Sequence, residues 1–241
     1  MYTPDQIASL VAGIKAEFPD CAVTLSVGEY PREVYQGWRE AGADRYLLRH
    51  ETADAAHYEA LHPKGMHLSS RLDCLADLKA LGYQVGCGFM VGSPGQRTEH
   101  IVKDLQFIRQ FRPHMVGIGP FIPQKDTPFG AEPAGNWELT VYLLSILRLM
   151  LPQVLLPATT ALGTVHPQGR ELGLLAGANV CMPNLSPTDV RKDYALYDDK
   201  ICTGEEAAES VHLLRRRIEG IGMKADMGRG DHFSRKECRY V

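Results

Sequence analysis

Gln84-Val85-Gly86-Cys87-Gly88-Phe89-Met90-Val91 is the stretch on which the fold turns. It is a β-prone run, apolar on both faces rather than alternating, and Gly92-Ser93-Pro94-Gly95 closes it. A strand that is apolar on both faces is covered on both faces, the condition of a parallel sheet flanked by helices. Outward from this run the same unit recurs. Upstream, Thr3-Pro4 reads as an N-cap with proline in the first turn, and Ile7, Leu10, Val11 and Ile14 keep helical spacing. Strands follow over 22–27 and 45–49, separated by a helix after Pro31 that carries Val34, Tyr35 and Trp38. A helix over 68–81 leads into the quoted run. Downstream, a helix over 99–111 precedes a strand over 114–118, and a helix over 139–151 precedes a strand over 154–157. A helix over 169–176 then leads to a strand over 179–182, and a helix over 205–218 closes the series. Six strands with a helix between each successive pair imply right-handed parallel crossovers in one domain, 1–241.

Composition excludes several classes. The 241 residues carry 26 basic and 29 acidic side chains, a net −3, with 44% hydrophobic and 23% charged residues. Such a chain buries roughly 70–75% of its unfolded surface and needs neither disulfides nor a metal for stability. It is not disordered, and it lacks the basic excess of a nucleic-acid backbone binder. No apolar run reaches the ~18 residues of a membrane span, and the start does not have the basic-then-apolar shape of a signal peptide. The expectation is a soluble cytoplasmic protein. Cys21, Cys74, Cys87, Cys181, Cys202 and Cys238 show no CxxC or CxxxC spacing, so reduced thiols packed as small hydrophobes are expected and no metal site is assigned.

A doubly wound sheet and a (β/α) barrel both fit the alternation. Gly28-Glu29-Tyr30-Pro31 after the first strand is not the GxGxxG of a dinucleotide fold. Polar residues recur instead at the ends of several strands: Ser26, Arg49 with Glu51, Thr159 with Thr160, and Asn184 after Pro183. That distribution is the barrel pattern. A full barrel takes roughly 250 residues, and six units with an opening helix that no strand precedes correspond to about six of its eight.

Alternation over 45–51 puts Arg45, Arg49 and Glu51 on one face and His50 on the other, in a structural role. Two guanidiniums and a carboxylate facing an interior are costly unless they bind one another or a polar ligand. A structural ion-pair network and a ligand set therefore fit equally well. The glycines around Met90 permit close backbone approach by a ligand, or simply a turn. Two prolines around Phe121-Ile122 make a rigid strand exit after Met115. Thr159-Thr160 suits a small polar substrate or a helix cap. Tyr194 and Tyr197 suit a pocket rim or packing. No HExxH, Walker or nucleophile–His–acid set is present, so no catalytic residue is assigned.

Taken in order, five segments resemble the HydE family, the radical S-adenosylmethionine maturases of [FeFe]-hydrogenase. They are Val23-Thr24-Leu25-Ser26-Val27-Gly28-Glu29, the run from Glu40 to Ala53 around Arg45-Tyr46-Leu47-Leu48-Arg49-His50-Glu51, Gly88-Phe89-Met90-Val91-Gly92-Ser93-Pro94-Gly95-Gln96, Val116-Gly117-Ile118-Gly119-Pro120-Phe121-Ile122-Pro123, and Pro157-Ala158-Thr159-Thr160-Ala161. Biotin synthase and methylornithine synthase are the related families. The resemblance implies a radical S-adenosylmethionine barrel in which a [4Fe–4S] cluster cleaves the cofactor. The resulting 5′-deoxyadenosyl radical then acts on a small iron-containing precursor of the hydrogenase H-cluster. It implies Arg49, Glu51 and Arg71 on the methionine and ribose parts of the cofactor, flanked by Met90, Ile122, Met182 and Tyr197. It implies Thr24, Ser26, Arg45, Met115, Thr159, Thr160 and Tyr194 on the substrate side. The partners expected are a small-molecule or organometallic substrate and other hydrogenase maturases, with no nucleic acid and no membrane.

The family's CxxxCxxC loop, its first two strands and its Gly-Glu segment are not found in this sequence. The expectation is a chain that lacks the cluster-binding part and is inactive alone. With only Cys202 near the matching place, no accessory cluster is expected either. The alternatives are a methylornithine synthase-like or biotin synthase-like enzyme, and a non-catalytic binding module or half of a split protein.

Overall fold

The computed structural model describes residues 2–189 and 207–236. Its residues fall into two compact units: Met1–Phe89 with Glu99–Val116 and Met227–Val241, and Met90–Thr98 with Gly117–Asp226.

The first unit is built on four parallel strands, β1 (Thr24–Leu25), β2 (Arg45–Leu47), β3 (Gln84–Cys87) and β5 (Met115–Val116), paired in that order. Helices α1 (Pro4–Glu17), α2 (Arg32–Glu40), α3 (Ala55–Leu61), α4 (Leu68–Ala80) and α5 (Thr98–Phe111) intervene, and the short α10 (Phe233–Lys236) follows near the chain end. The Thr3 cap is present as read: its hydroxyl accepts from the Gln6 N–H, and Gln6 reaches back to the Thr3 N–H. The run 84–91 is buried except at the half-buried Met90 and divides at Gly88-Phe89, where Phe89 makes a single parallel bridge to Glu51. Helix α3 has no counterpart in the periodicity. It is seven residues long and begins at an Asp54 cap, too short to build up a helical moment.

One side of this sheet is covered by an aromatic wedge. Tyr35, Trp38, Tyr46 and Tyr83 are fully buried, with Tyr35–Tyr46 and Tyr46–Tyr83 centroids 5.2 and 6.0 Å apart. Each aromatic buries roughly 150–250 Å², provided its polar tip finds a partner. Tyr46 Oη donates to the Gly28 carbonyl (2.8 Å), Tyr83 Oη to the Tyr35 carbonyl (2.6 Å), and Trp38 Nε1 to the Pro4 carbonyl (2.9 Å). Burial pushes all three tyrosine phenols up, so they remain protonated donors.

The opposite face carries Thr24, Arg45 and Gln84 in one row and Leu47, Gly86 and Met115 in the next. The first row is held by the C-terminal segment. Asp231 accepts from Arg45 Nη2 (2.9 Å), Gln84 Nε2 (2.7 Å) and Arg229 Nη1 (2.6 Å). Arg229 also donates to Asp44 (2.5 Å), which accepts from the Val23 N–H (2.9 Å) and Lys15 (3.3 Å).

The second unit pairs β4 (Met90–Val91) in parallel with β6 (Gly119–Pro120) and adds one parallel bridge, Pro157 to Val180. The strands expected over 154–157 and 179–182 thus shorten to that bridge. Leu156 takes the Asn179 side-chain oxygen as its acceptor, and its carbonyl receives the Asn179 and Val180 N–H groups. Around these lie α6 (Trp137–Met150), α7 (Thr160–Val165), α8 (Gly169–Leu175) and α9 (Ala207–Gly220). Gly135 sits against the β4–β6 pair: its N–H reaches the Phe121 carbonyl (2.7 Å), and a Cβ there would stand 2.0 Å from the Val91 carbonyl oxygen.

Gly135→Ala is therefore expected to cost about 3 kcal/mol or more, read as a lowered urea midpoint, because backbone must move to admit the methyl. Asp231→Asn is expected to lose about 1–2 kcal/mol at neutral pH. Burial alone would raise the Asp231 pKa, but the bonds from Arg45, Gln84 and Arg229 outweigh it and hold it at about 2. A depressed carboxylate stabilises the fold above its ordinary value near ~3.9 and loses that contribution as pH falls towards 2. The wild-type and Asp231→Asn melting curves should accordingly converge across that acid window.

Candidate functional site

In the first unit, chemistry collects where β2 ends. Arg49 and Glu51 follow the strand, Arg71 comes from α4, Glu29 from the loop after β1 and Tyr58 from α3. Arg71 pairs through Nε with Glu29 and donates through Nη1 to the Arg49 carbonyl (2.7 Å), so it fixes the backbone of the strand end as well as a carboxylate. Its guanidinium lies 5.9 Å from the centroid of the Tyr58 ring. Arg49 Nη2 stands 3.2 Å from Glu51 Oε2, yet these two atoms, Arg49 Nε and Tyr58 Oη are all buried without a hydrogen-bond partner. Burial pushes the Tyr58 phenol up, so it too is a donor.

Glu51 carries a further signature. Its φ is +64°, the left-handed region, which costs an L-residue of order 1 kcal/mol. The backbone turns there while the Glu51 N–H donates to the Gly88 carbonyl (3.0 Å). The result is a carboxylate aimed at Arg49 from a strained strand end, with buried donors and acceptors left over. In chemistry, such a set is complementary to carboxylate, ammonium and hydroxyl groups.

The sequence-predicted residues divide. Arg49, Glu51 and Arg71 come together at the end of β2. Arg45 does not join them. Asp231 and the Arg229 carbonyl (2.8 Å) hold its Nη2, and its Nε is buried without a partner. His50 lies on the opposite face as read. It is fully buried against Phe107 (4.7 Å between ring centroids), and its Nδ1 accepts from the Gly88 N–H (3.3 Å). Ser26 donates to the Leu47 carbonyl (3.0 Å). Thr24 lies beside Arg45 in the register, and Met115 pairs with Gly86. In the second unit, Met90 lies on β4, Ile122 follows β6, and Met182 is about half exposed (52%). Thr159 caps α7, and Thr160 accepts from Arg170 (3.0 Å). Tyr194, Tyr197 and Cys202 lie outside the described residues. Glu29, Tyr58 and Arg170 were not anticipated; only Glu29 had a signal, its place directly after a strand-closing glycine.

A [4Fe–4S] cluster does not fit the described residues. No group of three His, Cys, Asp or Glu converges among them. Of the described cysteines, Cys87 and Cys181 are held as neutral thiols by burial, which pushes both up.

If backbone strain is stored at Glu51, Glu51→Gly should relieve it while losing the Arg49 contact. Its melting temperature is expected within about 3 °C of wild type, whereas Glu51→Val, which loses the contact and keeps the strain, should fall clearly further. Differential scanning fluorimetry separates the two.

No protein-family profile matches the chain. It is 48% identical over 223 residues to the [FeFe] hydrogenase maturase subunit HydE of Thermotoga maritima, covering 92% of this chain and 63% of that one. It is 30% identical over 226 residues to the 3-methylornithine synthase of Methanosarcina acetivorans, covering 92% and 61%. Among solved structures, methylornithine synthase (PylB) superposes with a TM-score of 0.77 at 27% identity, over 92% of this chain and 64% of that one. HydG, a maturase of the [FeFe]-hydrogenase, superposes with a TM-score of 0.71 over 90% and 49%; at 16% identity this likeness concerns the fold alone. The chain spans less than two thirds of the length of each of these relatives. Over 92% of its length the chain is a homologue of HydE, and its fold is that of the radical S-adenosylmethionine (β/α) barrels.

Proposed function

We propose that this chain forms the part of a HydE-type radical S-adenosylmethionine enzyme that grips the polar end of the cofactor and contributes to the substrate side. The observation that supports this reading is the cluster at the end of β2. Its buried Arg49, Glu51 and Tyr58 atoms lack hydrogen-bond partners, and it lies within a sequence 48% identical to HydE. S-adenosylmethionine carries a carboxylate, an ammonium and two ribose hydroxyls. Arg49 would take the carboxylate, Glu51 a hydroxyl or the ammonium, and Arg71 would hold the strand end in place. Met90, Ile122, Met182 and Tyr197 are the proposed flanking residues, and Thr24, Ser26, Met115, Thr159, Thr160 and Tyr194 the substrate side. Arg45 stands with the proposed substrate side, and through Nη2 it also braces the C-terminal segment.

When reduced, a [4Fe–4S] cluster supplies such enzymes with the electron that cleaves the cofactor, and its thiolates must be other than those of the described residues. In the whole enzyme the 5′-deoxyadenosyl radical would act on a small iron-containing precursor, and the product would pass to other hydrogenase maturases. Binding of an amino acid by Arg45 and the Thr159/Thr160 pair would favour the methylornithine synthase-like alternative, which the lower identity of that relative, 30% against 48%, makes the second reading.

Calorimetric titration of the chain with S-adenosylmethionine tests the reading. Saturable binding is expected, weakened about tenfold or more by Arg49→Met and by Glu51→Gln. Arg45→Met should lower the melting temperature and leave the affinity unchanged. A folded wild-type chain that binds no S-adenosylmethionine overturns the proposal. Stoichiometric [4Fe–4S] assembly on this chain after anaerobic reconstitution overturns its ligand assignment.

A further inference from the structure

Two buried polar side chains of the first unit stand outside the function proposed above. His50 and Asp104 are both fully buried, and Asp104 shares the buried stripe of α5 with His100 and Ile108. A carboxylate in that stripe is costly unless it holds something, since an apolar residue would fill the place as well. What these two side chains hold is the backbone on either side of Glu51.

Glu51 is the middle residue of a three-residue turn: the Thr52 N–H donates to the His50 carbonyl (2.8 Å), and φ at Glu51 is +64°. A γ-turn with a positive central φ is the rare and strained form. Its neighbours tie it down. The Glu51 N–H donates to the Gly88 carbonyl (3.0 Å), and the Gly88 N–H donates to His50 Nδ1 (3.3 Å), so the turn grips residue 88 at both ends. Beyond the turn, the Ala53 N–H donates to Asp104 Oδ1 (2.5 Å). Because Nδ1 of His50 accepts, the ring proton sits on Nε2, which stands 3.3 Å from the same Asp104 oxygen. Phe107, also on α5, packs against the ring with 4.7 Å between centroids. One helix therefore fixes both the His50 ring and the exit of the turn.

We infer that His50 and Asp104 are positioning residues for the cofactor site: together they impose the turn at Glu51 and so aim its carboxylate at the ligand it shares with Arg49. Both act through the backbone, from the opposite face of the strand, and neither is a ligand contact. The inference rests on the proposed role of Arg49 and Glu51 and deepens it by adding what sets the geometry of that pair.

Two measurements test it separately: amide hydrogen exchange followed by NMR on the chain without ligand, and calorimetric titration with S-adenosylmethionine. In the wild type the amides of Glu51, Thr52, Ala53 and Gly88 are expected to exchange at least about a hundredfold slower than in an unstructured peptide. His50→Leu leaves the Gly88 N–H unpaired, and Asp104→Leu does the same to the Ala53 N–H. Each should speed exchange over 51–53 about tenfold or more relative to the core amides of Leu75 and Leu78, and weaken S-adenosylmethionine about tenfold. His50→Asn, which puts an oxygen in the place of Nδ1, and Asp104→Asn, which keeps one for Ala53, should restore most of both effects. In a Glu51→Gln background His50→Leu should cost no more than about twofold further, because both changes act through one carboxylate. If the leucine variants do not fold, His50→Gln takes their place, since its polar group lies beyond reach of the Gly88 N–H. Fast exchange at these amides in the wild type, exchange in the folded variants that is unchanged or rises equally at Leu75 and Leu78, unchanged affinity, or a full further loss in the Glu51→Gln background overturns the inference. A wild-type chain that binds no S-adenosylmethionine overturns the proposed function instead, and the exchange comparison then decides alone whether this pair sets the turn.

Discussion

A parallel strand covered on both faces has room for charge only where it stops. That constraint organises the first unit of this protein. The middle of β3 carries Val85, Gly86 and Cys87, all buried, and the aromatic wedge of Tyr35, Trp38, Tyr46 and Tyr83 seals one side of the sheet. Arginine and carboxylate side chains are left to the two ends of the strands. At the starting end Asp44, Arg229, Asp231 and Arg45 alternate in sign and bond in sequence, with the Nε atoms of Arg45 and Arg229 buried and unpaired. At the finishing end the unpaired buried atoms include a carboxylate oxygen and a phenol, on Glu51 and Tyr58, as well as two nitrogens of Arg49.

Much of this was legible in the chain itself. The apolar run 84–91 and its flanking helical periods gave the parallel order β1-β2-β3-β5, and the strand-end position of Arg49 and Glu51 marked the site. What stayed hidden has physical causes. Alternation places Arg45 on the same face as Arg49 but cannot reveal its partner, because Asp231 lies 186 residues away and no local pattern links them. Helices α3 and α7 have seven and six residues, fewer than two turns, so their caps at Asp54 and Thr159 were the only signals. The left-handed backbone at Glu51 was invisible because glycine, not glutamate, announces such a turn.

Arg170 shows the same limit in the second unit. As one arginine in Gly169-Arg170-Glu171 it reads as an ordinary polar residue early in a helix. Only the coordinates show that Glu171 is committed to Arg217, leaving Arg170 to a hydroxyl. Which carboxylate a guanidinium meets is set by where the two stand in space, and composition carries no record of that.

The clasp of Arg229 and Asp231 onto Asp44, Arg45 and Gln84 has a consequence for how the chain is made. Translation proceeds from the N-terminus, and strands β1, β2, β3 and β5 have all been synthesised before residue 117 is added. Until residues 229–231 follow, Arg45 lacks its counter-charge and Asp44 has Lys15 as its partner in place of Arg229. Contacts of such long sequence separation form late and slowly. The nascent sheet therefore passes through an interval in which its hydrophobic side is sealed and its polar end is not, and the arrival of Arg229 and Asp231 brings that interval to a close.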